Sequence, residues 1–505
     1  MHLIGLDVGT TGCKASLFDN NGKIITSASR EYAIDIPHPG WAEQDPERVW
    51  LLVQETLRQV VAASHSRDVS AIGLSVQGEA VTPVDENGIC LYPMILGMDT
   101  RTVKQNEWLV EKLGAEHLFE LTGMPVHTIN TLPKLLWLKQ YQKDIWKKAW
   151  HFLLYEDYLT YKMTGCAVIS RCLASRTQLY DLNEKGWSLE IVNSIDLDPD
   201  RLSSPIPSGE VVEVMSSKLA GDLGFRKAPV IVSGGHDQAC GALGVGLTEA
   251  GLAMVSTGTA EVVEVAMNSP VLNQALYAGN ISCYEHVIPG LYLAMTLNHS
   301  GGLLLRWFRD TLCTTEKQLA KENEEDAYDF ILRDVSLEPS SLLVLPHFAG
   351  SGTPTFDTAS KGAILGLTYA TSKKELAKAI LEGLTYELRL NLEILQNGGV
   401  VIRELRAIGG GARSPLWLQL KADITGIRVI KPQITEAAAW GAAVLGGVGA
   451  GIFPSVAEAI DRSLKFECSY EPDRSRGDRY NSCYQLYREV YPAVSTIHHR
   501  MGVAG

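Results

Sequence analysis

The sequence predicts a two-lobed α/β fold. It has 505 residues, 46% of them hydrophobic and 20% charged, which is typical of a folded α/β enzyme rather than of a disordered or fibrous chain. At roughly 150 residues per domain, this length fits about three domains or two large lobes. A strand, a Gly/Thr turn and a second strand also occur in that order twice, once at the N-terminus and once after residue 251. Two copies of one supersecondary unit favour two related lobes.

The first copy begins at the N-terminus. Apolar residues 3–6 lead into Asp7-Val8-Gly9-Thr10-Thr11-Gly12, and residues 14–18 resume an extended pattern. A short apolar run, a Gly turn and a second extended run predict a β-hairpin.

The second copy has the same order of strand, turn and strand. Residues 252–256 run into Thr257-Gly258-Thr259, and residues 261–265 continue as a strand. We place the lobe boundary at residues 246–251, which predicts domains at 1–248 and 249–505.

The spacing of apolar residues, together with Gly and Pro residues that mark turns, predicts the other elements. Strands are expected at residues 70–75, 229–233 and 405–408, helices at 46–62, 132–141, 238–245 and 375–396, and a loop at 198–208. The Gly- and Ala-rich residues 437–453 fall just short of a membrane span, so we expect a buried helix there. Behind Pro472, tyrosines 480, 484, 487 and 491 are spaced for one face of a docked helix.

Charge and cysteine content exclude several classes of protein. The net charge of −13 provides no basic surface for nucleic acid or an anionic membrane. The nine cysteines include no Cys-x-x-Cys pair, so neither a disulfide framework nor a zinc site is indicated. The N-terminus lacks the basic region of a secretory signal. These features predict a cytoplasmic protein with reduced thiols and without nucleic-acid or membrane partners.

The two Gly/Thr turns are suited to phosphate. A Gly-rich turn after a strand presents backbone N–H donors with little steric bulk, and Thr hydroxyls add side-chain donors. Asp7, directly before the first turn, is a candidate for holding Mg²⁺ through water, because Mg²⁺ dehydrates reluctantly. The alternative is that both turns only close hairpins. P-loop and Rossmann phosphate sites are not supported, since neither fingerprint is present.

Several motifs together resemble the FGGY family of carbohydrate kinases, over essentially the whole chain. Gly362-Ala363-Ile364-Leu365-Gly366-Leu367 followed by residues 375–382 matches the C-terminal signature of the family, spacing included. The other matching segments are the Asp7 turn, residues 38–46, Gly234-Gly235-His236-Asp237, Thr257-Gly258-Thr259 and Gly409-Gly410-Gly411-Ala412. The resemblance implies a two-lobed actin-like ATPase (ribonuclease-H-like) fold with its active site in the interlobe cleft, and ATP with Mg²⁺ as cofactors.

The resemblance also implies roles for individual residues. Asp237 corresponds to the general base that takes the proton of the acceptor hydroxyl. The alternative is that Asp237 only caps the helix that follows it. The implied nucleotide side contains Gly410, Gly411 and Ala412, adjoined by Arg413 and Ser414. The implied phosphate and magnesium side contains Asp7, Thr10, Thr11, Gly258 and Thr259.

Two segments are candidates for acceptor recognition. Carboxylates and amides suit sugar hydroxyls, and Gln77 and Glu79 follow the strand at 70–75. Gly78-Glu79 resembles the Arg-Glu of glycerol kinases more than the Met-His of xylulose kinases, and Asp237-Gln238 also resembles glycerol kinases. The Trp-x-Asp-x-Arg of the family is Gly97-Met98-Asp99-Thr100-Arg101 here, so Asp99 and Arg101 remain as substrate-side candidates. The missing indole predicts room for a ketose or polyol of about four to six carbons.

Other functions share the fold. A D-xylulose or glycerol kinase proper differs only in its acceptor. A non-catalytic sugar- or nucleotide-binding protein would lack the base or carry a fused DNA-binding segment, whereas Asp7 and Asp237 are both present. A chaperone or actin-type ATPase would lack the C-terminal signature. The expected partner is a small sugar or polyol acceptor, and assembly as a homodimer stays an open alternative.

Overall fold

The first sheet of the protein has six strands. The structure is a computed structural model and describes residues 2–64 and 68–503. The strands are, in spatial order, Val211–Val214, Val230–His236, Val69–Val76, His2–Val8, Gly12–Phe18 and Ile24–Glu31. The last three form an antiparallel meander, while His2–Val8, Val69–Val76 and Val230–His236 run parallel. The N-terminal hairpin prediction is confirmed.

The second sheet repeats this arrangement. Its seven strands are, in spatial order, Ser282–Glu285, Tyr292–Asn298, Glu261–Met267, Leu252–Thr257, Glu404–Ile408, Arg428–Pro432 and Phe466–Tyr470. The hairpin around Thr257-Gly258-Thr259 is antiparallel, and Leu252–Thr257, Glu404–Ile408 and Arg428–Pro432 run parallel. In each sheet an antiparallel meander is followed by two parallel strands, which confirms the predicted repeat.

Two helices join the sheets. Asp237–Gly244 follows the last parallel strand of the first sheet, and Ala437–Gly449 follows the last parallel strand of the second. They pack against each other so closely that a Cβ on Gly244 would lie 2.0 Å from the Ala437 carbonyl oxygen. Ala437–Gly449 also lies on the first sheet, where a Cβ on Gly5 would lie 1.8 Å from the Ala439 oxygen. The Gly- and Ala-rich composition of the helix therefore serves close packing, as predicted.

The remaining elements surround the two sheets. Helices of the N-terminal half are Pro46–Ala63, Val103–Leu113, Ala115–Thr122, Thr131–Tyr141, Lys143–Lys148, Tyr155–Thr164, Arg171–Ala174, Leu189–Ser194 and Ser217–Leu223, with a 3₁₀ turn at Pro199–Arg201. Helices of the C-terminal half are Gln274–Ala278, Gly302–Leu312, Thr314–Glu322, Ala327–Leu332, Lys373–Asn397, Pro415–Thr425, Val456–Ser463 and Arg474–Val503, with a 3₁₀ turn at Gly410–Arg413. Short strand pairs are Glu43–Gln44 with Met94–Ile95, Thr82–Val84 with His151–Leu153, Tyr180–Asp181 with Gly186–Trp187, Val168–Ser170 with Ser204–Ile206, and Leu343–Leu345 with Ala363–Leu365.

One predicted loop is partly wrong. Within residues 198–208, Ser204–Ile206 is a strand that pairs in parallel with Val168–Ser170. The Pro and Ser content suggested a loop, but a two-stranded edge tolerates a proline that lacks an N–H donor.

The C-terminal helix docks through its tyrosines, as predicted. Tyr480, Tyr484 and Tyr487 are buried, and their hydroxyls donate to carboxylates of helix Lys373–Asn397. A helix with one aromatic face buries it against a neighbour. Over residues 2–64 and 68–503, no helix is long and apolar enough to cross a membrane.

Candidate active site

Three parallel strands bring the candidate residues of the N-terminal half to one edge of the first sheet. Val8 pairs with Val76, and His236 also pairs with Val76, so the three strands end side by side. Asp7 lies at the end of the first strand, Gln77 to Glu79 follow the second, and Asp237 follows the third. Parallel pairing therefore assembles residues that are up to 230 positions apart in the sequence.

Asp7 is a half-buried carboxylate in a charged environment. Ser75 Oγ donates to its Oδ1 at 2.7 Å. Burial raises the pKa of Asp7 to about 6, and the negative charge of Glu436 adds to this effect. Glu436 itself pairs with Lys14 at 2.5 Å. A cation bound at this carboxylate would offset both the burial and the repulsion.

Magnesium fits this arrangement. Among the residues that the structure describes, no group of three or more His, Cys, Asp or Glu side chains could hold a metal ion. Mg²⁺ needs no such cage, because it keeps several waters and takes one or two carboxylates together with phosphate oxygens. Asp7 is half-buried and lies directly before the Gly9 to Gly12 turn, so it can supply the one carboxylate that Mg²⁺ needs beside phosphate oxygens.

Asp237 begins the helix Asp237–Gly244 and keeps 30% of its side chain exposed. Its Oδ1 accepts the N–H of Gln238 at 2.7 Å and lies 3.2 Å from His236 Nε2. Burial raises the pKa of Asp237 to about 7, and the negative charge of Asp7 adds to it. Burial lowers the pKa of His236 well below its usual range, so the imidazole that lies beside Asp237 is uncharged. Asp237 is thus the first residue of its helix, which His236 precedes as N-cap without a side-chain capping bond, and its raised pKa is the basicity that a general base needs near neutral pH.

The second sheet carries the two other predicted turns at one edge. Leu252–Thr257 and Glu404–Ile408 run parallel with Ser256 paired to Ile408, so Gly258 and Thr259 lie beside Gly409 and Gly410, all exposed. Gly409 has a φ of 82°, and a Cβ there would lie 2.5 Å from the Thr257 oxygen. Glycine is required at that position because the backbone is left-handed and the turns are in contact.

The nucleotide-side candidates differ in exposure. Gly410 and Arg413 are exposed, Gly411 and Ala412 are buried, and Ser414 caps the helix Pro415–Thr425 by accepting the N–H of Trp417. Side chains are not needed for a turn that offers backbone N–H groups to a ligand. The assignment of Gly410, Gly411 and Ala412 to the nucleotide stays a prediction.

Gln77 is buried against the first turn. Its amide nitrogen donates to the Gly9 oxygen at 3.2 Å and to Gln44 Oε1 at 3.2 Å. Gln44 in turn donates to the Thr10 oxygen at 2.5 Å. In this structure the Gln77 side chain supports the backbone of the Gly9 to Gly12 turn, and an acceptor contact for it stays a prediction.

Glu79 lies in a buried ion pair. Arg176 Nε and Nη2 approach its Oε1 at 2.7 and 2.5 Å. Its backbone has a φ of 59°, and its carbonyl accepts from Thr131 Oγ1 at 3.0 Å and Lys134 Nζ at 2.9 Å. A non-glycine residue in the left-handed region costs free energy and occurs often at functional sites. Burial also lowers the pKa of Lys134 to about 7.

Asp99 and Arg101 are buried and paired with each other. Arg101 Nη2 lies 2.7 Å from both Asp99 Oδ2 and Glu43 Oε1, and its guanidinium stacks 3.7 Å above the ring of Trp41. Asp99 also accepts the N–H of Ala42 at 2.6 Å. In this conformation both groups bond to protein and hold the segment around Trp41, so their contact with substrate stays a prediction.

Gly97 lies beside Glu79. A Cβ on Gly97 would lie 3.7 Å from Glu79 Oε2 and 3.4 Å from Ile129 Cγ1. A large side chain at position 97 would therefore occupy the space next to the free oxygen of Glu79. Gln238 is half-buried next to Asp237.

Sequence reasoning missed several charged residues of the site. These are Lys14, Lys134, Arg176, Glu436, Lys421 and Glu261. Lys421 and Glu261 form an ion pair, and Lys421 Nζ also donates to Thr257 Oγ1 at 2.9 Å. Only Lys14 was detectable, as a cation two positions after the turn. The others come from distant segments, and their partners are decided by tertiary packing.

Comparisons with known proteins match most of the chain. The model of the N-terminal domain of the FGGY family of carbohydrate kinases matches residues 2–244, and that of the C-terminal domain matches residues 253–450. A xylulose kinase of Bacillus subtilis is 30% identical over 97% of this chain and 96% of its own length. A gluconokinase of Bacillus subtilis is 29% identical over 96% of this chain and 94% of its own length.

Solved structures share the two-lobed fold. A crystal structure described as a xyloylose kinase from Brucella ovis superposes with a TM-score of 0.89 at 27% identity, covering 98% of this chain and 100% of that one. The glycerol kinase of Plasmodium falciparum with ADP has a TM-score of 0.86 at 19% identity, covering 97% of both chains. The latter likeness concerns the fold alone.

Proposed function

Since the chain belongs to the FGGY family of carbohydrate kinases, we propose that it phosphorylates an uncharged ketose or polyol of about four to six carbons. The observation that supports this proposal most is the edge of the first sheet. There a partly exposed carboxylate with a pKa of about 7, Asp237, lies near Asp7 and Glu79. Phosphoryl transfer to an alcohol needs a base at the hydroxyl and cations at the phosphates.

In the proposed reaction Asp237 takes the proton of the acceptor hydroxyl. The hydroxyl oxygen forms a bond to the γ-phosphorus while the bond from that phosphorus to the β,γ-bridging oxygen breaks, and ADP leaves. His236 orients Asp237 from 3.2 Å. Thr10, Thr11, Gly258 and Thr259 hold the phosphates, and Gly410, Gly411 and Ala412 lie along the nucleotide. Mg²⁺, held through water by Asp7, would neutralise charge that develops on the phosphates.

The charge of the pocket supports a neutral acceptor. Asp7, Asp237 and Glu79 are all acidic, and the cation closest to Glu79, Arg176, is already bonded to it. An acceptor carboxylate would be repelled, because like charges in a poorly solvated cleft cost free energy. A relative named gluconokinase makes this distinction relevant, and we propose that this chain does not accept aldonates.

The absence of a side chain at Gly97 supports the acceptor size. The space beside Glu79 Oε2 and Ile129 is bounded by Gly97 rather than by an indole. A pocket that is one indole larger accommodates a longer carbon chain than glycerol. D-xylulose falls within this class, and glycerol is the alternative.

A panel of acceptors with ATP tests the function. Coupled detection of ADP release is measured with ketotetroses, pentuloses, four- to six-carbon polyols, glycerol and gluconate, each with Mg²⁺. We expect the highest kcat/KM for a neutral ketose or polyol with about four to six carbons. Glycerol or gluconate as the best acceptor would overturn the proposal.

Two further features are proposed. The domain division lies between residues 248 and 249, between helix Asp237–Gly244 and strand Leu252–Thr257. The nine cysteines are free thiols, which favours a reducing compartment such as the cytoplasm.

A further inference from the structure

Arg176 is a buried cation outside the predicted site. It lies two residues after helix Arg171–Ala174, and only 2% of its side chain is exposed. A buried arginine is costly unless its donors are paired. Here two of its nitrogens bond Glu79 Oε1, and Nη1 donates to Ser282 Oγ at 3.0 Å. We propose that Arg176 is the residue that positions Glu79 for acceptor recognition.

The pairing leaves one oxygen of Glu79 for a ligand. Both Arg176 contacts go to Oε1, whereas Oε2 lies toward Gly97, 3.7 Å from where its Cβ would be. The acceptor pocket therefore receives a single oriented hydrogen-bond acceptor. Arg176 neutralises the charge of Glu79 through Oε1. The other carboxylate oxygen, Oε2, can therefore accept a hydrogen bond from a neutral hydroxyl without a second cation.

Arg176 also ties the acceptor loop to the second sheet. Ser282 and Tyr284 belong to the strand Ser282–Glu285 at the edge of that sheet, and the guanidinium lies 4.7 Å from the Tyr284 ring. Tyr284 donates to Glu264 Oε1 at 2.7 Å. In this conformation Arg176 thus links the acceptor loop of the first lobe to the lobe that carries the Thr257 turn.

The proposal rests on the proposed function, since it assumes that Glu79 contacts the acceptor. The test compares Arg176→Met, Arg176→Lys, Glu79→Gln and the double variant Arg176→Met/Glu79→Gln with the unmodified enzyme. Lys378→Met is the control, because it breaks an equally buried ion pair, with Glu382 at 3.2 Å, in a helix of the other lobe.

We expect Arg176→Met to raise the KM for the acceptor about 10- to 100-fold, the range for hydrogen bonds to charged groups. The KM for ATP should change less than about twofold. Arg176→Lys keeps the charge without the planar fork and should give an intermediate KM for the acceptor. The acceptor KM of the double variant should be no higher than that of the more affected single variant, because both changes remove the same interaction.

A pH profile separates positioning from a merely structural role. The charged or titratable groups near Asp237 are Asp7, Glu79, Arg176, His236, Cys240 and Glu264. Glu79 raises the pKa of Asp237 and Arg176 lowers it. The acid limb of kcat/KM should therefore move to higher pH in Arg176→Met and to lower pH in Glu79→Gln.

The outcomes are distinguishable. An unchanged acceptor KM in Glu79→Gln would remove acceptor recognition from this loop, and with it the role of Arg176. A raised acceptor KM in Glu79→Gln but not in either Arg176 variant would overturn the proposal for Arg176 alone. Equal increases in both KM values, or the same effect in Lys378→Met, would also overturn it. If Arg176→Met does not fold, Arg176→Lys carries the test.

Discussion

At the scale of single residues, the environment of Asp237 determines its chemistry. An ordinary aspartate has a pKa near about 4 and is a weak base. Burial and the charge of Asp7 raise the pKa of Asp237 to about 7, while 30% of the side chain stays open to a ligand. A base of that strength matches proton transfer at neutral pH.

Removal of this base should abolish most of the turnover. Asp237→Asn keeps the shape of the side chain, so ATP binding should persist while kcat falls several hundredfold or more, in the range of about 10²–10⁴ for general-base catalysis. Steady-state kinetics and nucleotide titration measure the two effects. Asp196→Asn is the control, because Asp196 is 85% exposed in a surface ion pair with Lys139. Near-normal turnover of Asp237→Asn would exclude the residue from the mechanism.

The raised pKa predicts an acid limit to activity. As the proposed general base, Asp237 acts only when it is deprotonated, so kcat/KM for the acceptor should reach its plateau only above the pKa of Asp237 and should fall as the pH drops through it. That pKa is about 7 before a cation offsets the charge of Asp7, and burial keeps it raised once a cation is bound. The profile is measured at saturating ATP and metal, with thermal unfolding at each pH to show that the enzyme remains folded. A limb near pH 4, the ordinary value for aspartate, would contradict the prediction.

At the scale of elements, the proposed acceptor specificity depends on loops at the ends of strands. The strand Val69–Val76 ends at Gln77 and Glu79, and the neighbouring segment places Gly97 next to Glu79 Oε2. Backbone geometry sets these positions, and in the proposed acceptor pocket the side chains would set its size and charge.

An indole at position 97 should shrink the accepted substrate. Gly97→Trp would fill the space toward Glu79 Oε2 and Ile129, so kcat/KM for five- and six-carbon acceptors should fall at least about tenfold relative to glycerol. Gly97→Ala is the matched control, since its Cβ would make only ordinary contacts of 3.4 Å or more. An unchanged ratio in Gly97→Trp would show that the carbon chain lies elsewhere.

The C-terminal helix should contribute stability rather than specificity. The Tyr487 hydroxyl donates to the buried carboxylate of Glu387, so Tyr487→Phe should lower the free energy of unfolding by about 1–3 kcal/mol. Acceptor and ATP KM values should not change. Tyr369→Phe, at a fully exposed position, should leave the unfolding curve unaltered. The prediction is wrong if both variants unfold with the same midpoint.

At the scale of the whole molecule, two closely packed helices join the lobes. Asp237–Gly244 and Ala437–Gly449 pack between the sheets. The first helix begins at Asp237, and the second begins directly after Glu436, so each starts at a charged residue of the candidate site. Helices packed between two lobes are a kind of joint about which hinge or shear closure occurs in other proteins.

The lobes should close when both substrates are bound. Excluding water protects ATP from hydrolysis once the acceptor is in place. Small-angle scattering of the Asp237→Asn variant, which should bind both substrates with little turnover, should show a smaller radius of gyration with ATP, Mg²⁺ and acceptor than with ATP and Mg²⁺ alone. Superimposable profiles would argue against closure.

Several features were predictable from local sequence. The two hairpins follow from apolar runs interrupted by Gly/Thr turns, and the helix Ala437–Gly449 and the tyrosine face of Arg474–Val503 follow from composition and spacing. These patterns are local, and local patterns determine hydrogen bonding and burial of one face. The strand Ser204–Ile206 was missed because a nonlocal partner, Val168–Ser170, defines it.

The sequence alone determined the repeated strand-turn-strand units, the carboxylates Asp7 and Asp237, and the resemblance that led to a kinase. Tertiary structure decided which charges meet. It paired Arg176 with Glu79 and Asp99 with Arg101, and placed Glu436 near Asp7. The physical reason is that a pKa and an ion pair depend on distances between groups brought together by folding, often over more than a hundred residues, and no local pattern specifies those distances.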